Sequence, residues 1–480
     1  MNKVDLFING VYDKGCSGER FMTYSPSSGE KVAEVVMGNR EDARMAIRSA
    51  NENKHRIAKL TVWDRAKILR DIADNLERRK DEVAWAVALE QGKNYTEALI
   101  EISRAIEGFA NASEHIKWYQ NSIISVKDPT KRVWTIRQPK GVYAVITPWN
   151  MPINIPVEYI APGLATGNAI IWLPAPSVSY CTSKLLECII ESDLPKGVFH
   201  FLTGPGNEVG DELVINPGVQ GIGFTGSSQT GDIIARRGYE KSMTLELGGN
   251  GPTIIMEDAV IGDREINAIA SASFMNGGQI CTATARILVH KSREEEVAHK
   301  LIHYARSIVV GESFDKNATM GPLHNEAVCQ KMEEHIADAV GKGAEIGIGG
   351  KRISGFKTNL FFEPTILRNV SAESHINCNE TFGPVVPLIT YTEDQELKTM
   401  IDKSTLGLSS SIFSSDFGRA ILFAEEIQTG SVVINDRSNY WELHIPFGGI
   451  SGKTSGRGRL GGMASIEAMT DSKTISMTVK

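Results

Sequence analysis

The sequence VYAVITPWNMPINIPVEYIAPGLATGNAIIWL, residues 142–173, contains one complete strand–helix–strand unit. Its first six residues are nearly all apolar, which is typical of a strand covered on both faces. A stretch with helical character, 155–165, leads to a second apolar strand, 169–173. Two parallel strands need such a crossover, so this unit predicts a parallel sheet flanked by helices.

The same alternation continues on both sides of a glycine-rich joint, Leu247-Gly248-Gly249-Asn250-Gly251. It predicts a doubly wound α/β domain before the joint and a second α/β domain after it. Before the joint we expect strands at 198–202 and 221–225, with helices at 179–191, 208–215 and 229–237. After it we expect strands at 286–290, 385–391, 410–413 and 431–435, with helices at 262–276, 293–309, 323–341, 394–402 and 416–427.

The N-terminal part has a different pattern. Short strands are expected at 6–8, ending at the turn dipeptide Asn9-Gly10, and at 32–36. The apolar spacing from Glu41 to about Gln91 predicts one long helix closed by Gly92, and a second helix follows over 96–118. We interpret the charged residues of these helices as a solvated face.

Two further segments have a β pattern. Residues 132–137 predict an isolated strand, and the tail 472–480 alternates apolar and polar residues. The tail suits an edge strand that pairs with another subunit.

Composition excludes several functional classes. Net charge is −7, with 51 Lys+Arg against 58 Asp+Glu and no basic run, which disfavours nucleic-acid binding. No apolar stretch is long enough for a membrane span, and the first residues do not resemble a secretory signal. Six cysteines without a CxxC pair indicate reduced thiols in the cytoplasm. No His/Cys cluster has metal-ligand spacing, so no metal is expected.

One cysteine stands out, in Asn276-Gly277-Gly278-Gln279-Ile280-Cys281-Thr282. Two glycines before Cys281 allow close approach of another group, as a nucleophile requires. The alternative is a buried cysteine that packs as a small hydrophobe.

Polar and glycine-rich motifs follow three strands of the predicted first sheet. Thr147-Pro148-Trp149-Asn150 lies at the carboxyl end of a strand, where ligands bind in open α/β sheets. Phe224-Thr225-Gly226-Ser227 joins a strand to a helix start, which can hold a pyrophosphate. Gly204-Pro205-Gly206 adds a second glycine turn, and each glycine turn is either a phosphate cradle or a plain turn.

A carboxylate among apolar residues is a candidate base. In Leu245-Glu246-Leu247-Gly248-Gly249, desolvation would raise the pKa of Glu246 towards a value useful for general-base catalysis. The alternative is a Glu that forms a salt bridge at the joint between domains.

Together with Asn379-Glu380-Thr381-Phe382-Gly383-Pro384, these motifs resemble the aldehyde dehydrogenase superfamily over essentially the whole chain. The resemblance implies that Cys281 attacks the aldehyde, that Asn150 and the Cys281 N–H hold the oxyanion, and that Glu246 activates water on the resulting thioester. It implies an α/β fold with a Rossmann-type cofactor domain, an α/β catalytic domain and a small β oligomerisation element. It also implies NAD(P) contacts for Ile146, Thr147, Pro148, Trp149, Gly204, Gly206, Phe224, Thr225, Gly226, Ser227, Leu247, Glu380 and Phe382.

The expected domains follow from the same resemblance. The cofactor-binding domain is expected to comprise 1–120 and 141–250, and the catalytic domain 251–430. The oligomerisation element and C-terminal segment comprise 121–140 and 431–480, and the assembly is expected to be a homodimer or homotetramer. Two other readings stay open: a coenzyme-A-acylating enzyme, disfavoured by Glu246, and a non-catalytic member of the family.

Cofactor choice is open because the sequence departs from the family pattern. Leu173 occupies the position of a Lys that reaches the adenosine ribose, and Pro176 that of a Glu frequent in NAD-preferring relatives. Losing the Glu removes repulsion towards a 2′-phosphate, whereas losing the Lys removes an attractive cation. No replacement cation is visible at 172–180, which favours NAD, with NADP possible.

The resemblance places the substrate tunnel beside Asn154, Ile155, Glu158, Ile280, Thr282 and the loop 437–442. Trp441 and Tyr440 could stack on an aromatic ring or face a cation, whereas Trp441 could also simply pack. Arg437 could bind a substrate carboxylate or pair with Asp436 or Glu442 at the surface. The aldehyde itself is not predicted.

Overall fold

A computed structural model describes residues 1–479. The N-terminal part contains β1 Asn2–Val4, β2 Leu6–Ile8, β3 Val11–Asp13, β4 Arg20–Tyr24, β5 Lys31–Val36, α1 Arg40–Ala58, α2 Val62–Arg78, α3 Lys80–Gln91, α4 Tyr95–Trp118, β6 Ile123–Ile124 and β7 Lys131–Pro139. The predicted long helix over 41–91 is therefore wrong. Thr61 caps the N-terminus of α2 in a capping box with Asp64, which starts a new helix. Gly92 does end α3, with a left-handed φ of 103°.

The first α/β unit follows the predicted alternation. It contains β8 Val142–Thr147, α5 Asn154–Ala165, β9 Ala169–Pro174, α6 Ser179–Ile190, β10 Phe199–Phe201, α7 Asp211–Ile215, β11 Gly221–Thr225, α8 Ser228–Arg237 and β12 Ser242–Glu246. These strands lie in an eight-stranded sheet of order β20-β12-β11-β8-β9-β10-β2-β3. Strand order reverses between β8 and β11, so a ligand-binding crevice opens there.

The second unit is built on a seven-stranded sheet of order β15-β16-β17-β14-β13-β18-β19. Separate buried clusters pack on its two faces, which explains its mostly apolar strands. Its elements are β13 Pro252–Ile255, α9 Asp263–Phe274, β14 Arg286–His290, α10 Glu294–Ser307, α11 Glu326–Gly341, β15 Glu345–Ile348, β16 Thr365–Arg368, α12 His375–Cys378, β17 Val385–Tyr391, α13 Asp394–Asp402, β18 Ser409–Phe413, α14 Phe417–Glu426 and β19 Ser431–Ile434.

The C-terminal residues are distributed over three sheets. Strand β19 extends the second sheet, β20 Gly456–Arg457 pairs with β12 of the first, and α15 Gly462–Ala468 leads to β21 Thr470–Thr478. The tail does form a strand, but it pairs antiparallel with β7 of its own chain, from Thr470 opposite Pro139 to Thr478 opposite Lys131. None of the helices within residues 1–479 combines the length and apolar character needed to cross a bilayer.

The α/β architecture with two mainly parallel sheets, each with one or more antiparallel strands at its edges, confirms the expected fold class. The two sheets present the ends of their strands and connecting turns to one shared crevice.

Candidate active site

Cys281 lies in the turn between α9 and β14. Three consecutive residues before it, Asn276, Gly277 and Gly278, have left-handed φ values of 52°, 60° and 71°. A Cβ on Gly278 would lie 2.3 Å from the Gly383 carbonyl oxygen, and one on Gly249 would lie 2.0 Å from the Cys281 carbonyl oxygen. Glycine is therefore required on both sides of the cysteine, and it lets the backbone close tightly around a half-buried thiol.

Glu246 is the last residue of β12, where it pairs with Thr225 of β11 in parallel register. Its carboxyl is buried, and Oε1 has no hydrogen-bond partner within residues 1–479. Burial raises the pKa of Glu246 to about 8, and hydrogen bonding with the Cys281 thiol opposes this rise. Burial, followed by the negative charge of Glu246, raises the pKa of Cys281 well above its usual value. The two groups form a thiol–carboxyl pair.

Asn150 follows β8 at the point where strand order reverses. Its side-chain amide donates to the Gln279 carbonyl oxygen over 3.0 Å, next to the Cys281 turn. The backbone carbonyl oxygen of Asn150 accepts hydrogen bonds from Lys93 Nζ at 2.9 Å and from Asn276 Nδ2 at 3.1 Å. The amide of Asn150 is thus fixed beside Cys281 by contacts to both parts of the fold.

Behind Asn150 lies a buried ion pair that the sequence analysis missed. Lys93 Nζ lies 2.6 Å from Glu101 Oε2, and both side chains are 1% exposed. Glu101 Oε1 accepts from the backbone N–H groups of Ile153 and Asn154 at 2.8 and 3.1 Å. The interpretation of all charged residues on these helices as a solvated face is therefore wrong for Glu101, whose partner Lys93 lies in the turn between α3 and α4.

The residues expected to contact cofactor lie along the carboxyl edge of the first sheet or face it from the second. After β8, Trp149 stacks on His324 with ring centroids 4.4 Å apart and meets Phe382 edge-on at 5.6 Å. Glu380 Oε1 accepts the Gly249 N–H at 2.9 Å. The other expected positions lie at the end of the same strands: Ile146, Thr147 and Pro148 at β8, Gly204 and Gly206 after β10, Phe224, Thr225, Gly226 and Ser227 at β11, and Leu247 after β12.

A pocket of about 890 Å³, including its open mouth, is lined by Cys281, Glu246 and Asn150. The structure brings the expected tunnel residues Asn154, Ile155, Glu158, Ile280, Thr282 and Trp441 to its wall. Trp441 also packs, because its Nε1 donates to the Ile445 carbonyl oxygen at 2.9 Å. The wall includes one face of α4 that the sequence analysis missed, formed by Glu97, Ile100, Glu101 and Arg104. Their spacing of three and four residues is the signal that could have identified this face.

The surface pairing expected for Arg437 is wrong. Its guanidinium forms no hydrogen bond or ion pair with any described residue. Asp436 Oδ1 accepts the Arg437 backbone N–H, and Glu442 bonds to the Tyr440 hydroxyl at 2.8 Å.

Comparison with known proteins agrees with this geometry. The model of the aldehyde dehydrogenase family matches residues 12–475. The chain is 34% identical to a lactaldehyde dehydrogenase of Methanocaldococcus jannaschii, covering 98% of this chain and 99% of that one. It is 35% identical to the NADP(+) succinate-semialdehyde dehydrogenase of Escherichia coli strain K12, covering 97% of each. Among solved structures, betaine aldehyde dehydrogenase from Staphylococcus aureus in complex with NAD+ superimposes with a TM-score of 0.95 at 30% identity, covering 99% of this chain and 95% of that one.

Two observations agree on the family of this chain. One is the site formed by Cys281, Glu246 and Asn150 between the two sheets, and the other is the family match over nearly the whole chain. The chain belongs to the aldehyde dehydrogenase family, and it is an NAD(P)-dependent oxidoreductase that oxidises an aldehyde to a carboxylic acid.

Proposed function

We propose that Cys281 is the nucleophile, that Asn150 and the Cys281 N–H form the oxyanion hole, and that Glu246 is the general base. The observation that carries this proposal is the convergence of these three side chains, from three separate segments of the chain, on the wall of one pocket. A nucleophile, a base within reach and an amide donor are the parts that acyl chemistry on a thiol requires.

The raised pKa values define the proton transfers. The Cys281 thiol is protonated at neutral pH and must lose its proton to attack, since the thiolate is the nucleophile. Glu246, in its carboxylate form, is the adjacent acceptor, so it takes this proton while sulfur bonds to the aldehyde carbon. The bound nicotinamide cofactor supplies the hydride acceptor. The acyl group is then a thioester of Cys281. Glu246 releases the thiol proton to solvent and, as a carboxylate again, takes a proton from the water that hydrolyses the thioester.

The residues at the crevice fit a dinucleotide. Helix α8 starts directly after β11 with Ser227 as its N-cap, so the positive end of its dipole faces the crevice. Gly204, with a φ of 138°, provides a second turn at the end of β10. Trp149 and Phe382 offer aromatic surfaces, and the Glu380 carboxylate offers acceptors for ribose hydroxyls.

We propose a preference for NAD over NADP. Leu173 is buried and carries no charge, and the turn Pro176–Val178 follows it. His324 contacts this turn, with Nε2 2.8 Å from Ser177 Oγ, but burial lowers the pKa of His324 to about 4. The imidazole is therefore neutral at neutral pH and adds no charge to attract a 2′-phosphate.

The hydrolytic reaction is tested by following reduced cofactor with aldehydes in the absence of coenzyme A. Wild type should turn over, Cys281→Ala should not, and Cys378→Ala, which alters an exposed cysteine outside the pocket, should match wild type. Turnover by Cys281→Ala, or a requirement for coenzyme A, would overturn the proposal.

We propose that the unit around the eight-stranded sheet binds the cofactor, that the unit around the seven-stranded sheet supplies Cys281, and that the sheet β21-β7-β6 mediates assembly into a homodimer or homotetramer. Most residues of β21 are exposed, and Ile123 of β6 is 90% exposed, which suggests a surface that another subunit covers. Light scattering coupled to gel filtration tests this, and a monomer at micromolar concentration would refute it.

We propose a cytoplasmic location, supported by six free cysteines of which three are buried. Cell fractionation with a reduced-thiol count tests this proposal.

A further inference from the structure

Helix α4 presents an arginine to the catalytic pocket. Arg104 lies on the pocket wall with Glu97, Ile100 and Glu101, and it is the last of the four along the helix. It lies three residues beyond Glu101, about 4.5 Å along the helix axis. The side chain is half-buried, yet it forms no hydrogen bond or ion pair with any residue in the described range 1–479.

The carboxylates near Arg104 are bonded elsewhere. Glu101 is paired with Lys93, and Glu158 Oε1 accepts from Asn154 Nδ2 at 2.8 Å. Glu107 is exposed one turn further on α4. A half-buried guanidinium without a partner is unusual, because its five N–H donors and its charge lose hydration without compensation. Burial, together with the nearby charge of Arg437, lowers the pKa of Arg104.

A second arginine lies close enough to Arg104 to add to the effect of burial and lower its pKa. This residue, Arg437, belongs to the loop that carries Trp441, and within residues 1–479 its guanidinium has no partner either. Two cations that repel each other thus lie near one another, and Arg104 is on the pocket wall. A group that binds both would remove their repulsion, and a guanidinium pairs best with the planar, bidentate acceptor of an oxyanion.

The acidic side chains of the pocket do not cancel this charge. Burial raises the pKa of Glu97 to about 7 and that of Glu246 to about 8, and it raises the pKa of Glu158 well above its usual value. Glu158 and Glu246 therefore favour their neutral forms, whereas arginine stays charged. Arg104 is thus a fixed positive charge on the pocket wall.

We propose that the physiological substrate is an aldehyde with an anionic group, a carboxylate or a sulfonate, at the end remote from the carbonyl, and that Arg104 binds this group with Arg437 as a second cation. The inference rests on the proposed function, since the carbonyl carbon must reach Cys281 while the anion contacts Arg104.

The test compares aldehydes that match in length and differ in charge. Succinate semialdehyde is measured against butanal, and 3-oxopropane-1-sulfonate is measured in a separate arm, so that carboxylate and sulfonate are distinguished. Wild type should prefer an anionic member. In Arg104→Gln, the kcat/KM for the anionic aldehyde divided by the kcat/KM for butanal should fall about 10- to 100-fold. The change should come mainly from KM, because one charged hydrogen-bond pair is lost.

Three further variants test whether the preference for anionic aldehydes depends specifically on the charge at position 104. Arg104→Lys keeps the charge and should retain part of the preference, and Arg437→Gln should lower the ratio less than Arg104→Gln. Arg264→Gln alters an exposed arginine outside the pocket and should leave the ratio at the wild-type value. Product inhibition by succinate relative to butyrate should weaken in Arg104→Gln in parallel.

Two outcomes overturn the inference. In one, wild type shows no preference for either anionic aldehyde. In the other, Arg104→Gln lowers turnover of charged and neutral aldehydes equally, as a purely structural arginine would. Failure of the proposed function looks different, because wild type would then oxidise none of the aldehydes in the absence of coenzyme A.

Discussion

The buried pair Lys93–Glu101 gives the sharpest test of how the site is held. Replacing Lys93 by Met removes a 2.6 Å contact to Glu101 and a 2.9 Å hydrogen bond to the Asn150 carbonyl oxygen. Breaking a buried ion pair by removing one partner costs about 3–5 kcal/mol. Glu101 keeps two backbone N–H donors, from Ile153 and Asn154, so we expect the lower end, about 3 kcal/mol.

Activity should fall as well, because the same lysine fixes the residue proposed for the oxyanion hole. A displacement of about 1 Å at such a residue can cost roughly 100-fold in rate, and it should affect kcat more than KM. Urea denaturation followed by intrinsic fluorescence measures the stability, and initial rates with a neutral aldehyde measure the activity.

Two control variants distinguish the cost of leaving a buried charge unpaired from the cost of losing an ion pair in general. Lys93→Met/Glu101→Gln removes both charges and should recover much of the lost stability, because no unpaired charge stays buried. Lys67→Met breaks exposed pairs with Asp71 and Asp193 and should leave the stability close to that of wild type, because exposed ion pairs contribute little. A stability loss below about 1 kcal/mol in Lys93→Met, with wild-type kcat, would refute the reasoning.

Three other changes have expected outcomes. Asn150→Ala should lower kcat about 100- to 1000-fold with folding intact by circular dichroism, as expected for loss of an oxyanion donor. Because burial raises the pKa of Glu246 to about 8 and the base acts as the carboxylate, kcat should fall about tenfold per pH unit below that pKa, and stopped-flow deacylation in Glu246→Gln should lack this limb. A limb that persists in the variant would assign it to another group. Leu173→Lys should tighten NADP binding more than NAD binding in fluorescence titrations, since it restores a cation near the 2′-phosphate; equal changes would place the adenosine elsewhere.

Much of the site could be predicted because its residues follow strands. The apolar runs at β8 and β11 predict these strands from the sequence. The residues that follow parallel strands lie together at the carboxyl edge of the sheet, so their proximity can be predicted as well. Strand β12, which ends at Glu246, was not predicted: Ser242-Met243-Thr244-Leu245-Glu246 has a polar start and only a short apolar part. Pairing with β11 defines this strand, and pairing is not visible in one local stretch.

The charged residues in and near α4 show where prediction of burial from sequence periodicity fails. Periodicity assigns charges to solvent by default, yet Glu101 of α4 is buried. It pairs with Lys93, which is buried in the turn before α4, and both side chains form hydrogen bonds with the segment from Asn150 to Asn154. Such mutual satisfaction depends on contacts between distant segments. The helix break at Thr61 was readable, since Thr61 and Asp64 form a capping-box pattern inside the apolar repeat.

The most direct test of the proposed chemistry is intact-protein and peptide mass spectrometry of Glu246→Gln, mixed rapidly with cofactor and an aldehyde that wild type oxidises. The account predicts about one reduced cofactor per subunit and an acyl adduct on the peptide that contains Cys281. Both should form more slowly than in wild type, because Glu246 no longer takes the thiol proton, and the adduct should persist, because no base activates the water that would hydrolyse it. An adduct on another residue, or steady turnover at the wild-type rate without any adduct, would contradict it.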